Sequence, residues 1–272
     1  MQRRSYLLGL LLLLVLSTTA FSQVADSLPA KVTHAEPLFF DLVRDLGARR
    51  GEREWNVGMG IVRKNAVHHL STLVEFEFAP VNRLGLEVEV PVSFLAVRGT
   101  DSTVDHSGNK IEGLKLAGQY TLFVSKRLNT SFAAGYIHEF EFVPFNRYGK
   151  QGLMEGNAFH PFAVAAKRWG RSFHSMLIAG PEWELPVTGQ LHKGFNIDAS
   201  IHYMIPGSRN LLGIEVNNEW QNGTVLSTLR PQIRLTLSQT VKVGFVASIP
   251  LTRATASSGF FIRLIYEPKR NR

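Results

Sequence analysis

The stretch FNIDASIHYMI, residues 195–205, decides the fold. Its odd positions, Phe195, Ile197, Ala199, Ile201, Tyr203 and Ile205, are apolar, while the even ones carry Asn196, Asp198, Ser200, His202 and Met204. Strict alternation marks a β-strand whose two faces meet different surroundings. A soluble strand usually runs about five or six residues, and this one is nearly twice that. A strand crossing a membrane at a tilt needs about 9–11 residues, with one face in lipid and the other towards a polar lumen.

The pattern recurs along the chain. TLVEFEFAP sets Val74, Phe76 and Phe78 against Glu75 and Glu77, and RLGLEVEVPV sets Leu84, Leu86, Val88 and Val90 against Glu87 and Glu89. The spacing predicts strands near 54–64, 69–79, 83–97, 112–125, 129–143, 155–167, 171–185, 194–206, 210–221, 224–238, 240–251 and 258–267. Alternation alone also fits a soluble sandwich. The connections separate the two: tight turns at APVNRL, SKRLN, KRWGRS, IPGSRN and LSQT take turns with longer links such as RGTDSTVDHSGNKIEG and VPFNRYGKQGLMEG. Short turns at one end and long loops at the other are the outer-membrane arrangement, with the short turns periplasmic. The expected fold is therefore all-β: a transmembrane antiparallel up-and-down barrel of about twelve strands, closed because lipid cannot satisfy an open edge. Trp55, Tyr120, Phe140, Phe142, Trp169, Trp220 and Tyr266, near strand ends, suit the interfacial girdles.

The N-terminus supplies the compartment. Arg3 and Arg4, an apolar run from Tyr6 to Leu16, and small residues at Ala20 and Ser22 read as a signal peptide over 1–22. Residues 23–53 are expected to form an N-terminal periplasmic segment, 54–268 the barrel and 269–272 a basic tail. An even strand number places both termini in the periplasm. With Cys 0 there is neither a lipid-anchored cysteine nor a disulfide framework. Removing Arg3, Arg4, Lys269, Arg270 and Arg272 from the 30 Lys+Arg leaves 25 basic against 22 acidic residues, so the body is nearly balanced. Export and balance argue against nucleic acid; the expected partners are outer-membrane lipid, the barrel-assembly machinery and small polar solutes.

Within 23–53, Leu38, Phe39, Leu42, Val43 and Leu46 recur at helical spacing, Pro37 suits a first turn and Gly47 a stop. The spacing predicts a short amphipathic helix over 36–50. An apolar stripe fits a polar lumen poorly, so a helix that caps the periplasmic mouth or lies at the membrane surface is expected rather than a plug or a contact for a periplasmic partner.

Chemistry is sparse. GxSxG, HExxH and phosphate-binding glycine loops are absent, and His138, His160, His174 and His202 show no nucleophile spacing, so no enzyme, cofactor or catalytic residue is expected. His34 with Glu36, and His68 with His69, offer too few convergent ligands for a metal site. The lumen carries the information. The register points Glu75, Glu77, Glu87, Glu89, Glu139, Glu141, Asp198, Glu215 and Glu219 inward, together with Lys115 and His202, and Arg230, Arg234, Lys242 and Arg263 from the last strands. An acidic and a basic wall either flank an open passage or pair to seal the interior.

The signal peptide, EFAPVNRLGLEVEVPV (77–92), the repeated strand–turn–strand units and a terminal IYEP (265–268) together resemble Gram-negative outer-membrane barrels. The chain is similar to the transporters grouped with phenol-degradation-pathway outer-membrane proteins, and HAEPLFFDLVRDLGARRGEREWNVG (34–58) looks like the opening of one branch of them. The resemblance implies a barrel fold, an outer-membrane location and a transport role, and carries no catalytic residue. One departure is the terminus, where EPKRNR follows Tyr266 although many such barrels end on an aromatic residue.

Overall fold

The computed structural model describes residues 28–40, 42–64, 67–97, 108–150, 152–221, 223–252 and 258–269. The expected signal peptide and the last residues of the basic tail lie outside them. Long alternating segments fold as β1 (Arg53–Lys64), β2 (Val67–Val81), β3 (Leu84–Val97), the two-residue β4 (Lys110–Ile111), β5 (Gly113–Ser125), β6 (Thr130–Phe142) and β7 (Met154–Trp169). Then come β8 (Phe173–Pro186), β9 (His192–Met204), β10 (Leu211–Gln221), β11 (Thr224–Thr236), β12 (Val241–Pro250) and β13 (Gly259–Tyr266). Each long strand pairs antiparallel with its sequence neighbour, and β1 pairs with both β2 and β13, which closes the sheet. Apart from the short β4, which lies beside β3, the described residues form twelve strands, and their closure leaves no open edge among them.

The opening stretch lies on β9 as its alternation requires. Ile201 is 63% exposed on the outer face, whereas Asp198, Ser200 and His202 are 7%, 5% and 0% exposed on the inner one. Aromatics collect at the strand ends: Trp55 lies opposite Tyr266 at one end, and Trp220 opposite Phe195 at the other. The tight turns share the end where β1 begins and β13 finishes, called here the near mouth. Arg83, Asn129, Gly170 and Gly207 adopt positive φ in those turns, the left-handed conformation that reverses a chain tightly.

The expected helix over 36–50 is not formed. The described residues there are bends and turns, and they run inside the barrel rather than across its mouth. Two causes are visible. The wall supplies acceptors that compete with helical hydrogen bonds: Ala35 N–H donates to His174 Nδ1 (3.0 Å), Leu38 N–H to Gln232 Oε1 (2.7 Å), Phe40 N–H to Glu215 Oε1 (3.0 Å) and Gly47 N–H to Thr121 Oγ1 (2.8 Å). The lumen is also not uniformly polar. Leu42 and Leu46 pack with Ala133, Val164, Ala166, Met176 and Ile178, and Leu38 packs with Val246, Phe261 and Ile265. The helical spacing of these leucines therefore serves a loop whose apolar side chains reach two separate apolar patches of wall.

Candidate functional site

The inner face combines acidic strands, basic strands and this loop. Antiparallel register sets Glu54 opposite Glu77, Glu77 opposite Glu87, and Glu75 opposite Glu89. Like charges facing across strands repel, so the cluster requires cations and donors. Arg44 of the loop supplies the first: its Nη1 bonds Glu54 Oε2 at 3.1 Å and Glu77 Oε2 at 3.2 Å. Gly85 makes room for it, since a Cβ there would lie 2.3 Å from Arg44 Cβ. Asn56 Nδ2 bridges Glu54, Glu75 and Glu77, and Lys115 Nζ meets Glu89 Oε1 at 3.0 Å. Glu139 lies across from Lys115, and Glu141 opposite Gly113, farther towards the far mouth.

The basic residues do not face the acidic ones across the lumen. Closure places β13 beside β1 and one strand from β2, so Arg263 reaches Glu75 at 3.9 Å along the wall. Arg230 stands directly opposite Glu215 on β10, bonds Asn217 Oδ1 and lies over the Phe39 ring, 3.5 Å from its centroid. Arg234 approaches Glu36 of the loop at 3.9 Å, and Lys242 pairs with Glu267 at the near mouth. Asp198 accepts from Asn217 Nδ2 at 2.7 Å. Glu219 lies farther along β10, opposite Asn196 and Leu226. His202 is fully buried against Gly213, so it packs the wall rather than lining open space.

The loop enters at the near mouth, reaches its greatest depth at Phe39 and Phe40, and returns to begin β1. Along this path it meets β1–β3 through Arg44, β5 through Gly47, β6 through His34, β8 through Ala35 and β10–β13 through residues 36–40. Two ion pairs tie its ends together, Lys31 Nζ with Asp45 Oδ2 at 2.8 Å and with Glu52 Oε2 at 3.1 Å. Burial and the nearby His174 and Arg168 lower the His34 pKa to about 4, so its ring is neutral beside Ser131. Burial and the Asp45 charge push Glu36 well above the usual carboxylate range, whereas Arg44 and Lys31 hold Asp45 low against the effect of burial.

Beyond the loop tip, towards the far mouth, lies a cavity of about 380 Å3 lined by Phe39, Glu75, Glu87, Glu89, Lys115 and Arg263 among others. Carboxylate oxygens of Glu75, Glu87 and Glu89 lie within 4.8 Å of one another, the grouping among the described residues that most resembles a cation site. Lys115 and Arg263 already neutralise part of its charge. His34 is committed to Ser131, and His68 and His69 point to opposite faces of β2. Sequence reading missed Arg44, Asn56 and Gln232. Gln119, which alternation puts on the polar face of its strand with Lys115, donates from Nε2 to Arg44 O at 2.7 Å.

Solved structures share the architecture. The COG4313 outer membrane channel from Pseudomonas putida F1 superposes with TM-score 0.59 and 12% identity over 82% of this chain and 98% of its own. The NanC porin gives TM-score 0.58 and 8% identity over 79% of this chain and 100% of its own. The KdgM porin in complex with disordered oligogalacturonate gives 0.55 and 12%, over 79% and 99%. At these identities the likeness shows the fold, an outer-membrane porin-like barrel. No curated protein matches the chain. The family model HAEPLYID-like matches residues 30–267, which include the loop as well as the barrel. Read as residues, that name differs from HAEPLFFD at 34–41 only at Phe39 and Phe40, the tip of the lumenal loop. The chain belongs to the HAEPLYID-like family.

Proposed function

We propose that the protein is an outer-membrane channel for small polar solutes, oriented with its tight turns towards the periplasm and held closed by its own N-terminal loop. The observation that carries this reading is the charged cavity of about 380 Å3 beyond the loop tip, with the loop occupying the near half of the same lumen. A barrel built only for stability has no use for a cluster of facing carboxylates that must be neutralised by a segment from outside the wall. Support also comes from the fold shared with proteins described as channels and porins, one of them solved with oligogalacturonate. The sequence resemblance to phenol-degradation-pathway transporters agrees with transport without naming a solute. In this reading the barrel performs no catalysis, and its partners are membrane lipid, the assembly machinery and the solute.

The test is single-channel recording of refolded protein in planar bilayers under a salt gradient. Glu87 and Glu112 line the cavity without an ion pair among the described residues, so replacing both by Gln leaves the paired network intact. Fixed charge in a narrow passage is weakly screened. The expected result is unitary steps in the parent and a reversal potential shifted towards anions in the variant. The ties between loop and wall favour a second reading, a permanently sealed structural barrel; a parent and variant both silent, even with the loop released, would establish it instead.

A further inference from the structure

The near mouth holds a second cavity, of about 480 Å3, between the loop and the wall. Thr33 and His34 form its loop side, and Arg168, Arg171, His174 and Arg234 its wall side. Arg168, His174 and Arg234 occupy inward positions of β7, β8 and β11, so the cavity opens to the aqueous lumen and not to lipid. Its charge is one-sided. Among the described residues no carboxylate lines it, and Glu36 approaches one of its arginines, Arg234, at 3.9 Å. Arg168 spends one Nη on a neutral amide, Asn129 Oδ1 at 2.9 Å, and neither Arg168 nor Arg171 has an ion pair among the described residues. Elsewhere in the lumen, Arg44, Lys115 and Lys242 each have a carboxylate within 3.3 Å. His174 accepts from Ala35 N–H at Nδ1, which places its own proton on Nε2 and makes it a neutral donor beside the arginines.

We propose that this cavity binds a soluble multivalent oxyanion, of the phosphate-chain or polycarboxylate class, bridging the N-terminal loop to the β7–β8 turn. Guanidinium groups suit such anions because their planar forks bond two oxygens at once. A ligand seated between Thr33–His34 and Arg168–Arg171 binds only when the loop is docked, so it stabilises docking by mass action. It is thus a ligand that closes the barrel, entering from the mouth that carries the tight turns. The site does not depend on the barrel conducting.

The test is isothermal calorimetry of the full chain in detergent with inorganic pyrophosphate at constant ionic strength, with sodium chloride as control. Saturable binding is expected, weakened at least tenfold by Arg171→Gln, an exposed turn substitution that leaves the strands untouched, and further by adding Arg168→Gln. Pyrophosphate should also slow thiol labelling of a cysteine placed at Ala35, which is buried when the loop is docked. Heat without saturation, an equal response to chloride, or unchanged affinity in the Arg171 variant would overturn the proposal.

Discussion

Arg44→Met is the perturbation that bears most directly on the loop. The guanidinium is buried and makes two charge-assisted hydrogen bonds, to Glu54 at 3.1 Å and Glu77 at 3.2 Å, with side chains only 8% and 3% exposed. Each such bond contributes about 1.5–3 kcal/mol, and stripping one side of a buried pair commonly costs about 3–5 kcal/mol because the remaining charges stay unpaired. Methionine keeps the stem packed beside Gly85, so the loss is electrostatic. The cost falls on the docked state, since a released loop leaves the lumenal carboxylates open to water. The chain has no cysteine, so a single cysteine at Ala35, 2% exposed, reports release by its reaction with a thiol reagent. When docking is fast relative to labelling, the rate follows the undocked population. At 1.4 kcal/mol per decade the variant should label about 100-fold to 4000-fold faster, up to the rate of a free chain. Adding Glu54→Gln and Glu77→Gln should recover much of that loss. A rate within about threefold of the parent would refute the reasoning that Arg44 pins the loop.

Met59, 55% exposed at the centre of β1, should tolerate Arg poorly, at about 2–4 kcal/mol near the bilayer midplane, as read from refolding into vesicles. Ile201→Arg, three residues from the near end of β9, should cost less; equal costs would contradict the placement. Gly213→Ala should destabilise the barrel by about 1–3 kcal/mol through overpacking, because its Cβ would lie 2.1 Å from the His202 ring; an unchanged denaturation midpoint would contradict it. His34 is held neutral in the docked loop, with a pKa near 4 against an ordinary 6.5. Its contribution to docking is therefore complete above about pH 6.5 and is lost as pH falls towards 4. The ratio of Ala35→Cys labelling in the parent to that in a His34→Gln background should rise over that window, and a flat ratio would count against it.

What the sequence made legible is set by local periodicity. FNIDASIHYMI carries its own register, because a period of two fixes which side chains face lipid whatever the neighbouring strand is. The tight turns were legible for a similar reason, since the residues that reverse the chain at Asn82–Arg83 or Pro206–Gly207 are contiguous. The loop was not. Its apolar residues have helical spacing, and only the wall reveals that acceptors on β8, β10, β11 and β5 satisfy its backbone instead. The apolar patch that receives it had a signal, FAVAAK at 162–167, where alternation gives way to a continuous apolar run as in strands buried on both faces. Which charges pair was not legible for a topological reason. Arg263 lies on the last strand and Glu75 on the second, but barrel closure makes them neighbours.

The claim that this loop governs passage is tested by tying it down. A Cβ on Gly244 would lie 3.2 Å from Leu38 Cγ, so cysteines at 38 and 244 would bring their Cβ atoms close to the about 3.5–4.5 Å that a disulfide spans. With no other cysteine in the chain the pair cannot mispair within it. The Leu38→Cys/Gly244→Cys protein should be silent in planar bilayers when oxidised and should show unitary conductance after reduction. Equal conductance in both states would contradict the account.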